Sequence, residues 1–427
     1  MRILVVGGGG REHAIIKKLR ENPEVTGIVA LPGNAGIAQD AECVGIKATD
    51  IDGIVDYVKA NPVDFAVVAP DDPLALGCVD RLHALGVPCF GPDAKAARIE
   101  ASKVFAKTLM KRYGIPTAAY EVFDDADRAL EYVAACPLPT VVKADGLALG
   151  KGVVICNTRE EAADAVKAAM VDGAFGASGS RIVVEEFLEG PEVSVLAFTD
   201  GRVVKPMVSS MDHKRAGDGD TGLNTGGMGT IAPNPFYTPE VAERCMREIF
   251  LPTIAAMNSE GCPFKGCLYF GLMVTADGPK VIEYNCRFGD PETQVVLPLL
   301  RSDLLTIMMA VENETLAETP VEFSDGAACC VMLASGGYPG KYEKGKVIDL
   351  GRADEMAQVF HSGTARNDAG QLVTAGGRVL GIACTADTLA SAVDKAYAAA
   401  AEVSWDGMML RHDIGARALA ILKKGEE

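Results

Sequence analysis

Arg2-Ile3-Leu4-Val5-Val6-Gly7-Gly8-Gly9-Gly10-Arg11-Glu12-His13 opens the chain, and its reading decides the first architecture. Residues 3–6 are an apolar, largely β-branched run that stops at four glycines, and residues 11–19 then place apolar side chains at helical spacing. That order is strand, glycine turn, helix. Working outward, strand-like runs recur at 27–31, 65–69 and 87–90, with helical patterns at 51–60 and 74–85. Strands alternating with helices predict parallel β-α-β units and a doubly wound sheet of about a hundred residues. Turn chemistry follows the later strands as Pro32-Gly33-Asn34, Pro70-Asp71-Asp72 and Gly91-Pro92-Asp93. Open α/β sheets bind ligands at the carboxyl ends of their strands, so these tips are expected to converge on one site.

The glycine turn is not a good dinucleotide fingerprint. Spacing Gly7-x-Gly9 puts Glu12 where a third small residue belongs, and the strand ending at Leu31 has no acidic residue at its tip for a ribose. Two readings stay open: backbone N–H groups at a helix N-terminus holding a phosphate, with Arg11 adding charge, or a turn with no ligand.

The 427 residues are 48% hydrophobic and 23% charged, the balance of a globular protein with several cores. Lys+Arg 41 against Asp+Glu 58 leaves a net charge of −17. Phosphate backbones and anionic lipid would repel such a chain, so nucleic acid and membrane are not expected partners. The 12 cysteines include no Cys-x-x-Cys pair and read as small buried hydrophobes in a reducing compartment. The apolar N-terminal run is too short for a signal peptide, and glycines and Pro339 interrupt the uncharged stretch 326–340. A cytoplasmic location is expected.

A second region begins near Ser102 with a lysine-rich helix through Arg112. A small unit over 117–188 follows, with strands at 140–144, 153–156 and 181–186 and a helix at 160–171. Strand signals resume at 192–199, 269–274 and 280–285, separated by a helix and a polar, glycine-rich loop over 211–229. A final α+β unit starts near Phe323 and ends in an alanine-rich helix over 389–403. The expected domains are 1–101, 102–322 with a lid at about 117–188, and 323–427.

Between strands 140–144 and 153–156 lies Asp145-Gly146-Leu147-Ala148-Leu149-Gly150-Lys151-Gly152. It fails as a P-loop: Gly152 follows Lys151 where Ser or Thr should ligate magnesium, and Asp145 replaces the first glycine. A glycine-rich hairpin of this kind can still close over a triphosphate. Glu283 and Asn285 are two apart on one strand, so both oxygens share a face, as magnesium bridging phosphates requires. Cys286-Arg287-Phe288-Gly289-Asp290-Pro291-Glu292 then packs a cation and two acids into a tight turn, the composition of a phosphoryl-transfer site. His213 has no clustered metal-ligand partners, which argues against zinc.

These segments resemble the phosphoribosylamine–glycine ligases, of the ATP-grasp superfamily. The resemblance runs from Gly7–His13 through Pro32-Gly33-Asn34-Ala35-Gly36, Glu100-Ala101-Ser102-Lys103, the 142–152 hairpin and Glu185-Glu186-Phe187-Leu188-Glu189-Gly190. It continues through Asp212-His213-Lys214-Arg215, Asn224-Thr225-Gly226-Gly227-Met228-Gly229, the highly specific Arg287–Glu292 run and Gly336-Gly337-Tyr338-Pro339. It implies an α/β and α+β multidomain fold: an N-terminal doubly wound parallel sheet, an ATP-grasp core with a small lid, and a C-terminal α+β domain. It also implies ATP-dependent ligation of glycine to 5-phospho-D-ribosylamine through glycyl phosphate, giving glycinamide ribonucleotide, ADP and phosphate in purine biosynthesis.

The implied ATP contacts are Lys103, Lys143, Gly150, Lys151, Glu185, Leu188 and Glu192. The implied metal ligands are Glu283 and Asn285, for Mg2+ or Mn2+. Substrate binding is implied at Gly9, Gly10, Arg11, Glu12, Asn34 and Asp212, with the N-terminal tips, including Gly9, Arg11 and Asn34, receiving the phosphoribosyl group and Arg287, Asp290 and Lys214 in the catalytic group. The partners implied are small molecules, with the enzyme working as a monomer. Two positions depart from the pattern: Asp71-Asp72 stands for Glu-Ala, and Leu223 replaces a proline. Another ATP-grasp carboxylate–amine ligase would share the lid and metal pair without reason for Asp212-His213-Lys214-Arg215. A nicotinamide-dependent dehydrogenase would leave the 143–152 flap unexplained.

Overall fold

The computed structural model describes residues 1–147 and 152–426. Its N-terminal sheet has five parallel strands in the order Glu42–Cys43, Gly27–Pro32, Arg2–Gly7, Phe65–Val68 and Cys89–Phe90. Ile3, Leu4, Val5 and Val6 are fully buried because both faces of the central strand are covered, which is why the run does not alternate. Helix Gly10–Leu19 leaves the end of that strand through the glycine turn. The single helix expected at 74–85 is two, Asp71–Ala75 and Cys78–His83. Gly77 between them takes a φ of 80°, a left-handed conformation that breaks the helix. The last strand is also shorter than expected, only Cys89–Phe90.

The lid is an antiparallel sheet ordered Tyr120–Phe123, Ile182–Glu186, Thr140–Ala144, Val153–Cys156. Helices Ala126–Val133 and Arg159–Met170 cover one face around Phe123, Val133, Val142, Val166 and Val184, a core of its own. Facing the lid, a second antiparallel sheet runs Val204–Pro206, Glu192–Asp200, Lys265–Thr275, Gly278–Asn285. Gly271 pairs with Glu283 and Leu272 with Val281, so Ile282 is an extra residue: a β-bulge immediately before Glu283.

The segment read as a loop over 211–229 is partly sheet. Met211–Asp212 pairs with Gly229–Ala232, which pairs in turn with Ala327–Ser335, and the sheet continues through Arg378–Ala386 to Gln358–His361. The intervening hairpin, Arg215–Gly217 with Thr221–Asn224, is clamped by Arg411: the fully buried guanidinium donates to Asp220, Asp413 and the Arg215 carbonyl. His213 closes the same corner, with its Nδ1 3.1 Å from the Gly229 carbonyl and its Nε2 accepting from the Gly415 N–H. Helix Leu389–Ala400 covers the sheet with Ala392, Ala396 and Ala399, small enough for close approach, and ends three residues earlier than expected. No helix among the described residues is long and apolar enough to cross a membrane.

Candidate active site

Lid strand Thr140–Ala144 aims Lys143 out of the lid toward the facing sheet. Its ammonium lies 3.0 Å from Glu185 Oε2 and donates to the Ile282 carbonyl at 3.2 Å. The bulge turns that carbonyl into the cleft, so one lysine spans both sheets. Lys107, on helix Lys103–Tyr113, meets the same Glu185 Oε2 at 3.0 Å and donates to Thr117 Oγ1 at 2.7 Å. Burial pulls Lys107 down to about 8, although Glu185 opposes this. Glu185 is 4% exposed, and its other oxygen, Oε1, has no hydrogen-bond partner among the described residues. Lys103, one helical turn before Lys107, donates to the Gly146 carbonyl at 2.8 Å; burial lowers its pKa. Leu188 lies two residues past strand Ile182–Glu186 and is half-buried. Gly150 and Lys151 lie outside the described residues.

Across the cleft, Glu283 and Asn285 present the expected pair of oxygens. Burial pushes Glu283 up, but Lys214, Lys143, Lys103 and Arg287 outweigh it and hold the carboxyl below its ordinary range. Asn285 Oδ1 accepts from Arg287 at 3.0 Å. An ionised carboxylate beside an amide oxygen is a hard donor set suited to Mg2+ or Mn2+. Lys214 sits 3.5 Å from Glu283 and 3.7 Å from Glu192. Burial would lower its pKa, yet these acids raise it well above the usual lysine value. Arg287 is pinned by Glu100 at 2.9 Å, while the Cys286 N–H donates to the second Glu100 oxygen at 2.7 Å.

Beyond Arg287, the turn meets the N-terminal domain. Arg11 donates to the Phe288 carbonyl at 3.2 Å and pairs with Glu12 at 2.6 Å; Glu12 Oε2 accepts from the Gly9 N–H at 2.6 Å. A Cβ on Gly10 would fall within 2.7 Å of the side-chain tips of Ser362 and Gln294, so a side chain there would push both aside at this three-way junction. The Asn34 amide is fully engaged, donating to the Gly8, His361 and Ser362 carbonyls and accepting from the Gly36 and Ile37 N–H groups. Its side chain holds the loop in place. Asp290 accepts from Arg378 at 2.9 Å and Gln294 at 2.6 Å. Asp212 is held well above the usual carboxyl range by burial and by repulsion from Glu292, and its Oδ1 has no partner among the described residues. Tyr269, absent from the expected set, donates to Glu292 at 3.1 Å and shares a hydrogen with Ser194 at 2.7 Å.

Of the three strand tips expected to converge, Gly33-Asn34 closes on Gly8, and Asp71 is near enough to raise the pKa of Glu100. Gly91-Pro92 packs beside the Asp71 tip, with Gly91 against Val68 and Leu74, and is also buried against Gly266 of the facing sheet, where the absence of a side chain lets the two domains approach closely.

Two antiparallel sheets closing on a cleft lined by lysines, with a metal-suited oxygen pair opposite, define an ATP-grasp enzyme. Family models for phosphoribosylglycinamide synthetase match in three consecutive parts: the N domain over residues 1–100, the ATP-grasp (A) domain over 101–293 and the C domain over 328–417. The chain belongs to the phosphoribosylglycinamide synthetase family. It is 48% identical over 425 residues to the phosphoribosylamine–glycine ligase of Vibrio parahaemolyticus, covering 98% of this chain and 99% of that protein. The Rhizobium meliloti ligase is 48% identical over 421 residues, with 98% and 99% covered. The crystal structure of the Thermotoga maritima ligase superposes with a TM-score of 0.87 at 36% identity, over 97% of this chain and 100% of that one. The biotin carboxylase domain of Hydrogenobacter thermophilus 2-oxoglutarate carboxylase, in complex with MgADP, shares the fold alone, at TM-score 0.72 and 18% identity, covering 96% and 91%.

Proposed function

We infer that this chain is an ATP-dependent, ADP-forming ligase that joins glycine to 5-phospho-D-ribosylamine and yields glycinamide ribonucleotide for purine biosynthesis. Full-length similarity to enzymes of that name carries the reading. The cleft supplies the chemistry. A carboxylate is a poor electrophile, so its oxygen attacks the γ-phosphorus of ATP, giving glycyl phosphate and ADP. The amine nitrogen then attacks the acyl carbon, phosphate leaves with the bonding pair, and the nitrogen loses a proton.

Lys103 and Lys143, at the mouth of the lid, would neutralise the transferring phosphate, and Arg287, braced by Glu100, would face the acyl phosphate. Glu185, Leu188 and Glu192 would hold the nucleoside, and Gly150 and Lys151, outside the described residues, are proposed as further ATP contacts. Glu283 and Asn285 would hold Mg2+ or Mn2+, which when bound neutralises phosphate charge. Gly9, Gly10 and the Arg11–Glu12 pair, on the loop that Asn34 fixes, would receive the phosphoribosyl group, with Asp212 also on the substrate side and Lys214 and Asp290 joining Arg287 in the catalytic group. We keep the division into 1–101, 102–322 and 323–427, with a lid at 117–188, small-molecule partners, a monomeric state and a cytoplasmic location. The test is direct: incubate the protein with ATP, magnesium, glycine and freshly generated phosphoribosylamine, and weigh the products. ADP release without a glycinamide ribonucleotide mass would point to another carboxylate–amine ligase.

A further inference from the structure

Glu185 is an unusual carboxylate: two lysines from different elements converge on one of its oxygens, and the other is buried with no partner among the described residues. A buried, acceptor-only oxygen left unpaired is costly, so its place in the fold points to a donor that arrives with a ligand. Lys143 also reaches the Ile282 carbonyl, which puts this carboxylate in the cleft between the two sheets. Lys107 does not line the cleft wall in the same way. It is 2% exposed, is anchored by Thr117, whose hydroxyl donates to the Val281 carbonyl at 2.7 Å, and lies 5.7 Å from the Tyr120 ring centre.

We propose that Lys107 is a positioning residue for nucleobase selectivity: by pinning Glu185 Oε2 from behind, it aims Oε1 as a fixed acceptor for the exocyclic amine of adenine. The inference rests on the reading that places Glu185 beside the nucleoside. An acceptor held in this way bonds an amino group and repels a carbonyl oxygen at the same position, so the discrimination lies between ATP and its 6-oxo analogue ITP. The depressed lysine pKa fits a group that gives up hydration to fix a neighbour. Lys143 alone would leave the carboxylate free to turn about its bond to the lid.

The experiment measures kcat/KM for ATP and for ITP in the wild type, Lys107→Met, Lys107→Arg and Glu185→Gln. Lys107→Met is expected to lower the ATP-over-ITP ratio at least about tenfold, mainly through KM for ATP, and Lys107→Arg to restore part of it. Should circular dichroism show that Lys107→Met does not fold, Lys107→Gln reads the same ratio. Equal losses with both nucleotides would reduce Lys107 to a structural support and overturn the proposal. A ratio that falls in Glu185→Gln but holds in Lys107→Met would sink the positioning role alone. A ratio untouched in Glu185→Gln would remove Glu185 from the base and take the underlying reading with it.

Discussion

Arg378 and Asp290 are joined twice: one guanidinium nitrogen lies 2.9 Å from the Asp290 carboxylate and the other donates to the Asp290 carbonyl at 2.7 Å. An arginine of the C-terminal sheet thus fixes the conformation of the turn that carries Arg287, and it also donates to the Gly226 carbonyl at 2.7 Å.

Arg378→Met should therefore destabilise the enzyme by about 2 kcal/mol, because a half-buried carboxylate loses its ion-pair partner and keeps Gln294 as its side-chain donor, with Arg11 and Arg287 as the cations nearby. Urea unfolding measures this. The double variant Arg378→Met/Asp290→Asn should recover more than half of the loss, since the unpaired charge is then gone. Additive losses would mean that the two groups do not act as a pair.

Glu283→Gln keeps size and an acceptor but removes the charge that four cations hold ionised. Turnover at low magnesium should drop on the order of a hundredfold and recover partly as magnesium is raised, with a native circular dichroism spectrum. Undiminished turnover at low magnesium would take this strand out of the metal site.

Arg11→Ala should raise KM for the amine on the order of tenfold to a hundredfold, the worth of one charged hydrogen bond, while KM for ATP moves little. The reason is position: Arg11 touches Phe288 and Glu12, whereas the lysines of the cleft belong to other elements. An equal rise in both constants would mean that the N-terminal loop does not serve the amine.

His13 and His361 make a pH prediction. Both are 2% exposed, and the His13 Nδ1 accepts from the His361 N–H at 2.9 Å while its Nε2 lies 3.1 Å from Asp40. Burial lowers both pKa values, that of His361 to about 3. The unfolded chain therefore binds more protons below about pH 6.5, and stability should fall as pH drops through that value, by about 2 kcal/mol for His361 at pH 5, with His13 acting in the same direction. Unfolding wild type and His361→Phe at pH 7.5 and pH 5 isolates one of the two. The variant should lose less on acidification, and identical losses would rule out a part for His361.

Much of this fold is legible in the sequence because its signals are local. The parallel strands are buried on both faces and read as continuous apolar runs, and the Glu283–Asn285 spacing needs only the pleat of one strand. What escapes depends on distant partners. Nothing near Met211 announces that its strand shares a sheet with Ala327–Ser335, more than a hundred residues on. Arg378 has no local signature, since its role is set by a turn 88 residues away in sequence. Lys107 is within reach of a sequence reading: it stands four residues after Lys103, on the same helical face, in a helix whose lysines are visible but undifferentiated.

The strands contributed by residues 211–232 make the C-terminal sheet inseparable from the chain before it. A polypeptide cut short at residue 322 would leave Gly229–Ala232 without one of its two neighbours and offer an unpaired ladder to other copies, an invitation to aggregate. Conversely, the last hundred residues grafted onto another protein would arrive missing two strands and the hairpin that Arg411 clamps. This domain is stitched into its predecessor, and exchange between relatives would have to carry both pieces together.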